Sequence, residues 1–181
     1  TRLQGDWSSD VCSSDLHLLY HDVYGIRTCA LRLTNTYGPA MRIKDARQTF
    51  LGIWIRNLLT GVPVQVFGDG HQLRDFNYVD DVVEALLRAA SVEACHGHVL
   101  NLGSPEVVSL ADLAARLVSF EPGGRWELVP FPEERKRIDI GDYYSDHALA
   151  YRLLAWTPQV GLDAGLARTV AYYRHHLPLY L

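Results

Sequence analysis

A chain of 181 residues, 48% of them hydrophobic and 21% charged, has the size of about one domain and can bury a core without disulfide or metal staples. Its 17 basic residues against 21 acidic ones leave a net charge of −4, which excludes a general nucleic-acid binder with a basic footprint. No stretch approaches the ~18 apolar residues of a bilayer span, and no basic-then-apolar signal layout opens the chain. A cytoplasmic protein without a membrane partner is therefore expected. Cys12, Cys29 and Cys95 are odd in number and lack a Cys-x-x-Cys pair, the usage of reduced thiols. Cys95, His96 and His98 form the one cluster of metal-ligating types, and it lacks a second ligand pair, so no metal is expected.

In chain order, Gly5 to Leu16 (GDWSSDVCSSDL) repeats Ser-Ser-Asp and follows neither a helical nor a strand period. It resembles the translated sequencing-adaptor stretch found at the ends of reading frames assembled from environmental DNA; the competing reading is a disordered polar tail. Residues 1–16 are accordingly expected to be a non-native tail, with the fold carried by 17–181. His17 to Tyr24 suits the last turns of a helix capped by Gly25, and Ile26 to Thr34 suits a buried strand. Asn35 to Pro39 is expected as a loop, because Gly38-Pro39 ends regular structure.

Arg47 to Thr60 suits a helix with Phe50, Leu51, Trp54 and Leu58 on one face, stopped by Gly61. Pro63 to Phe67 is a short strand, Gly68-Asp69-Gly70 a turn, and Arg74 to Val79 a further extended segment. A helix to about Ala90 follows, capped by Asp80 or Asp81. Val99 to Leu102 suits a strand, and Ser109 caps a helix to about Ser119. Trp126 to Pro130 is extended again. Two helices, about His147–Leu154 and Leu162–His176, close the chain around Trp156-Thr157-Pro158. Alternating strands and helices imply an α/β fold.

Two polar residues stand out on chemistry alone. Arg74 follows a glycine turn that a ligand can approach, and a guanidinium fork matches phosphate oxygens; the alternative is a surface arginine paired with Asp75 or Asp69. Asn35 directly follows a buried strand, where parallel α/β sheets gather ligands; the alternative is a turn-forming asparagine.

Five phrases then fall in a telling order: Arg32-Leu33-Thr34-Asn35-Thr36-Tyr37-Gly38-Pro39; Val66-Phe67-Gly68-Asp69-Gly70; Leu73-Arg74-Asp75-Phe76-Asn77-Tyr78-Val79-Asp80-Asp81; Asn101-Leu102-Gly103; and Trp156-Thr157-Pro158 before Gly165. Together they resemble the C-terminal half of the extended short-chain dehydrogenases that act on nucleotide sugars, the NAD-dependent epimerase/dehydratase family. The resemblance covers nearly all of 17–181. It implies the end of a Rossmann-type parallel sheet plus a smaller α/β substrate-binding domain.

It also implies roles. Asn35 and Arg74 would hold the diphosphate of a nucleotide sugar, and Phe67 would line its base. Arg135-Lys136-Arg137 before Asp139 resembles an Arg-x-x-Asp element for phosphate and ribose. Strict spacing puts Lys136 at the basic position, so Lys136 and Arg137 both stay candidates; the alternative is a solvated charge run. Leu33, Thr36 and Tyr37 would border the nicotinamide side of NAD, although the Tyr37 ring suits a core equally well. The resemblance most favours a UDP-glucose 4-epimerase-like enzyme whose intact form is a homodimer. A 4,6-dehydratase, a decarboxylase or a non-catalytic nucleotide-sugar-binding module are the alternatives.

No catalytic residue is assigned. Family chemistry uses a Tyr-x-x-x-Lys pair, since an unaided tyrosine titrates near 10 and needs a neighbouring cation. The two lysines, Lys44 and Lys136, follow Ala40 and Pro132 at that spacing. No glycine-rich first turn for a dinucleotide is present either. His17, Tyr20, His21 and Asp22 share helical spacing, but a frayed helix end explains them. The chain by itself is expected to be inactive.

Overall fold

The computed structural model describes residues 13–44, 49–137 and 139–181. The first helix, α1 (Ser13–Tyr24), begins four residues inside the segment expected to be a tail, and Arg32 donates to the Ser14 hydroxyl at 2.9 Å. Residues 1–12 lie outside the described residues. Gly25, at φ +65°, closes α1 as expected: its N–H reaches the His21 carbonyl at 2.9 Å, and Ile26 N–H reaches that of Tyr20.

Strand β1 (Cys29–Leu33) is shorter than expected and pairs in parallel with β5 (His98–Leu102), Cys29 opposite His98 and Leu33 opposite Leu102. The chain then changes sheet at Thr34. Asn35–Tyr37, expected as a loop, is instead a strand, β2, parallel to the end of β4 (Leu73–Tyr78) with Thr36 opposite Asn77. A distant partner supplies the pairing that the local Asn and Gly-Pro signals argue against. Antiparallel to the other edge of β4 runs β6 (Val107–Ser109), and β3 (Val64–Phe67) pairs in parallel with β7 (Trp126–Val129).

Helix α2 (Phe50–Leu59) buries Leu51, Trp54, Ile55 and Leu58 and ends before Gly61 at φ +73°. Its expected start at Arg47 lies outside the described residues. In α3 (Val79–Ser91) neither aspartate is the cap. Tyr78 takes the cap position, two residues before Asp80, so Asp80 and Asp81 sit in the first turn of the helix, where the dipole favours them. Asp81 faces inward instead: its carboxylate accepts from the N–H groups of Gln159 and Val160 at 2.9 and 3.0 Å. Ser109 does cap α4 (Leu110–Val118), accepting from Asp112 N–H at 3.1 Å. A short helix not foreseen, α5 (Glu133–Lys136), precedes α6 (Ala148–Leu154) and α7 (Leu162–His176).

Two cores result from this mixed α/β arrangement. The larger joins α2, α4 and α7 to β3 and β4 through Leu51, Ile55, Val66, Leu113, Leu166 and Tyr173. Gly165 permits the approach of α7, because a Cβ there would stand 2.0 Å from the Tyr37 hydroxyl. The smaller gathers Val82, Ala85, Leu100, Leu102, Leu154 and Trp156 between α3, α6 and β5.

Candidate functional site

The turn before β4 is held by its glycines. Gly68 and Gly70 both lie at φ +72°, and a Cβ on Gly70 would come within 3.0 Å of the Ala111 side chain. The turn thereby seats on the start of α4, whose first N–H groups it satisfies: Leu110 N–H donates to the Gln72 carbonyl and Ala111 N–H to that of Gly70, both at 3.0 Å. Beside this turn opens a cavity of about 170 Å³. Phe50, Trp54, Phe67, Phe131 and Leu110 form its apolar wall; Gln65, Gln72, Arg74 and Asp139 supply its polar groups.

Arg74 is only 8% exposed. Its Nη1 donates to the Leu73 carbonyl at 2.8 Å and to Gly141 at 2.5 Å, and Nη2 to Gln72 Oε1 at 3.5 Å. None of the ion pairs among the described residues involves it. A buried cation whose hydrogen bonds go to neutral oxygens, with no direct ion pair among the described residues, favours an anion. The surface pairing with Asp75 or Asp69 is not formed: Asp69 caps its own turn through His71 N–H at 3.0 Å.

Asp139 borders the same cavity and accepts from Gln72 Nε2 at 2.7 Å. The segment after it lies along β4, with Leu73 N–H donating to the Asp142 carboxylate and Tyr143 N–H to the Leu73 carbonyl. The Phe67 ring, half-buried, stands 5.6 Å from that of Phe131. Thus Phe67, Arg74 and Asp139 come together. Lys136 and Arg137 are exposed at the end of α5 and do not border the cavity. Nor does Asn35, whose amide donates to the Asp75 carbonyl at 3.0 Å and so ties β2 to β4.

The residues expected near a cofactor occupy the crossing between the two sheets. Leu33, at the carboxyl end of β1, is 43% exposed. Tyr37 is 2% exposed; its hydroxyl donates to the Leu162 carbonyl at 3.2 Å, and burial raises its pKa. The ring belongs to the core, which leaves only its backbone for any ligand. Thr36 Oγ1 is buried without a partner among the described residues, as are Asp75 Oδ1 and Asn77 Oδ1.

Asp75 anchors this crossing. Its Oδ2 accepts from Ser104 N–H at 3.1 Å and Ser145 N–H at 3.4 Å, and a Cβ on Gly103 would stand 2.8 Å from it. Burial raises its carboxyl above the usual range, against the pull of those two N–H groups and the nearby Thr34 hydroxyl. At the far end of β1, burial and the adjacent Cys95 push the Cys29 thiol up to about 12, which keeps it protonated.

Sequence reasoning missed Gln72 and Phe131. Gln72 stands two residues before Arg74, just ahead of β4, and Phe131 is a lone aromatic between Pro130 and Pro132; both are weak signals that need the cavity to acquire meaning.

Comparison with known proteins supplies the class. The sequence pattern of the NAD dependent epimerase/dehydratase family matches residues 9–103, just over half of the chain. The chain belongs to this family. Curated relatives include the UDP-glucuronate 4-epimerase of Thermodesulfobacterium geofontis, 29% identical over 91% of this chain and 48% of the relative. UDP-glucuronic acid decarboxylase 4 of Arabidopsis thaliana is 33% identical over 87% of this chain and 34% of its own length. The dTDP-glucose 4,6-dehydratase of Streptomyces griseus is 32% identical over 97% and 52%. The chain therefore spans between a third and about half of these relatives.

Among solved structures, the UDP-glucose 4-epimerase of Thermotoga maritima with UDP-glucose superposes with a TM-score of 0.77 at 28% identity, over 91% of this chain and 52% of that one. The UDP-glucuronic acid 4-epimerase of Bacillus cereus, in complex with UDP-glucuronic acid and NAD, gives 0.74 at 28% identity, over 90% and 50%. No helix among the described residues is long and apolar enough to cross a membrane.

Proposed function

We propose that this chain is the nucleotide-sugar-binding portion of an NAD-dependent epimerase that acts on a UDP-sugar at C4. The buried, carboxylate-free guanidinium of Arg74 beside an aromatic wall carries the reading: a cation for the diphosphate and a flat apolar surface for the base occupy one cavity. Asp139 takes a ribose hydroxyl, and Phe67 lines the base. Lys136 or Arg137 adds charge from outside the cavity, and Asn35, which does not border it either, is a further candidate for the diphosphate through the amide hydrogen that its Asp75 bond does not use.

The crossing at Leu33, Thr36 and Tyr37 borders the nicotinamide end of NAD, through the exposed Leu33 side chain and the backbone of Thr36 and Tyr37. In the whole enzyme NAD accepts and returns the hydride at C4, while these residues hold the sugar nucleotide against it. Without a Tyr-x-x-x-Lys pair this chain has no turnover by itself. The whole enzyme is a cytoplasmic homodimer, and the exposed apolar residues of α1 (Leu16, Leu19, Tyr20 and Val23) suit a helix that packs against a second copy.

Decarboxylation or 4,6-dehydration is the second reading, favoured by relatives of those names at comparable identity. Calorimetric titration of the chain with UDP-glucose, UDP-glucuronic acid and dTDP-glucose tests the site. Saturable binding is expected, with Arg74→Ala weakening it at least about tenfold, the scale of one charge-assisted contact. Unchanged affinity in a folded Arg74→Ala variant removes the diphosphate role.

A further inference from the structure

We propose that Gln72 is the positioning residue of this cavity, a single amide that holds Arg74 and Asp139 apart and aims both at one ligand. The inference rests on the nucleoside-diphosphate reading above. Gln72 lies between the two charged groups and touches each with a different end: Oε1 accepts from Arg74 Nη2 at 3.5 Å, and Nε2 donates to Asp139 Oδ2 at 2.7 Å.

Donor and acceptor chemistry fixes that orientation. A flipped amide would set NH2 against the guanidinium and oxygen against the carboxylate, both repulsive. The base of the side chain is equally fixed. The Gln72 carbonyl accepts from Leu110 N–H at 3.0 Å, and the next N–H, that of Leu73, donates to Asp142 at 2.9 Å. Asp139, in contrast, is exposed on the loop after α5, and Gln72 is the one side chain among the described residues that bonds its carboxylate.

The interposed amide has a chemical consequence. A direct Arg74–Asp139 ion pair would neutralise both groups and close the cavity to an anion. With Gln72 between them, the guanidinium stays available for a phosphate and Asp139 Oδ1 for a hydroxyl donor. A nucleoside diphosphate offers both groups in one molecule, the diphosphate and the vicinal ribose diol. Recognition of the 2′-hydroxyl therefore depends on Gln72 holding Asp139, although Gln72 itself need not touch the ligand.

The test is titration of the chain and its variants with UDP and with 2′-deoxy-UDP, each variant checked for a native far-UV spectrum. The unaltered chain should prefer UDP about tenfold, the scale of a hydrogen bond to a charged group. Gln72→Leu should bring that preference below about twofold, as should Asp139→Ala, and the double variant should lose no more than either alone. Gln72→Glu, which sets like charges against each other, should lose the preference as well. A Gln72→Leu variant that weakens both nucleotides equally and keeps the ratio has only a structural Gln72, and the proposal falls while the site stands. Equal affinity of the unaltered chain for the two nucleotides overturns it too. Binding of neither removes the functional reading along with it.

Discussion

The two cores differ in how completely this chain encloses them. Around β3, β4 and β7 the larger core is closed by α2, α4 and α7, and its aromatic side chains interlock: Tyr37, Phe50, Phe76 and Tyr78 make edge-to-face contacts at 5.6 to 6.2 Å between centroids. The smaller core has two strands, and β1 pairs on one edge only among the described residues. Beside β1 lies an open cavity of about 430 Å³, bordered by Cys29, Leu31, Leu33 and Leu86, and on α3 Leu87 is 63% exposed. Strand edges and apolar faces of this kind invite a partner. The contrast teaches that the candidate ligand site is built by the more fully enclosed region, whereas the two-stranded region leaves a strand edge and an apolar face uncovered among the described residues.

The strongest test of that contrast is Trp156→Ala. Trp156 is 1% exposed, and its indole N–H donates to the Asp81 carbonyl at 2.8 Å, so its loss should cost ~3–5 kcal/mol. Hydrogen exchange should then accelerate in β1, β5, α3 and α6 before it does in β3, β4 and β7. Uniform acceleration throughout would mean that the two cores unfold as one unit.

An intermediate effect is expected at the polar crossing between them. The carboxyl of Asp75 titrates above its usual value, so the folded state binds its proton more tightly than the unfolded state does. Stability conferred by protonated Asp75 is therefore present at low pH and lost as pH rises, from about 4, where unfolded aspartate titrates, up through the raised value. Asn at this position keeps an acceptor for Ser104 and Ser145 N–H without the charge. Urea midpoints measured from pH 4 to 8 should show Asp75→Asn gaining on the unaltered chain as pH rises; parallel profiles would remove the argument.

The smallest change concerns the end of α6. Ala155 sits at φ +48°, a left-handed conformation that a Cβ disfavours, while Arg88 bonds its carbonyl at 2.6 Å. Ala155→Gly should stabilise the smaller core by ~0.5–1 kcal/mol, read as a rise in thermal midpoint with no change in nucleotide affinity.

Much of this was legible in the chain, but unevenly. Gly25, Gly61 and Ser109 act where local signals place them, because helix ends are decided by one residue's backbone freedom or one side-chain oxygen. The failures share a cause. Asn35–Tyr37 looks like a loop until β4 pairs with it, and Asp80 and Asp81 look like caps until Trp156 and the 159–160 backbone converge on Asp81. The fork-like chemistry of Arg74 is legible locally, whereas its burial and the company of Phe131, from far along the chain, are not.

The sequence by itself determined the alternating α/β plan, the glycine turns and the residue types suited to phosphate and ribose, because propensity, period and side-chain chemistry are local properties. Only the tertiary structure decided which of them meet. Phe67, Arg74 and Asp139 share a cavity, whereas Lys136, Arg137 and Asn35 do not border it, and the Tyr37 ring belongs to the core. The reason is physical: burial and contact depend on partners 40 to 125 residues away, as the Asn35–Asp75 and Tyr37–Leu162 bonds show, and no local pattern encodes them.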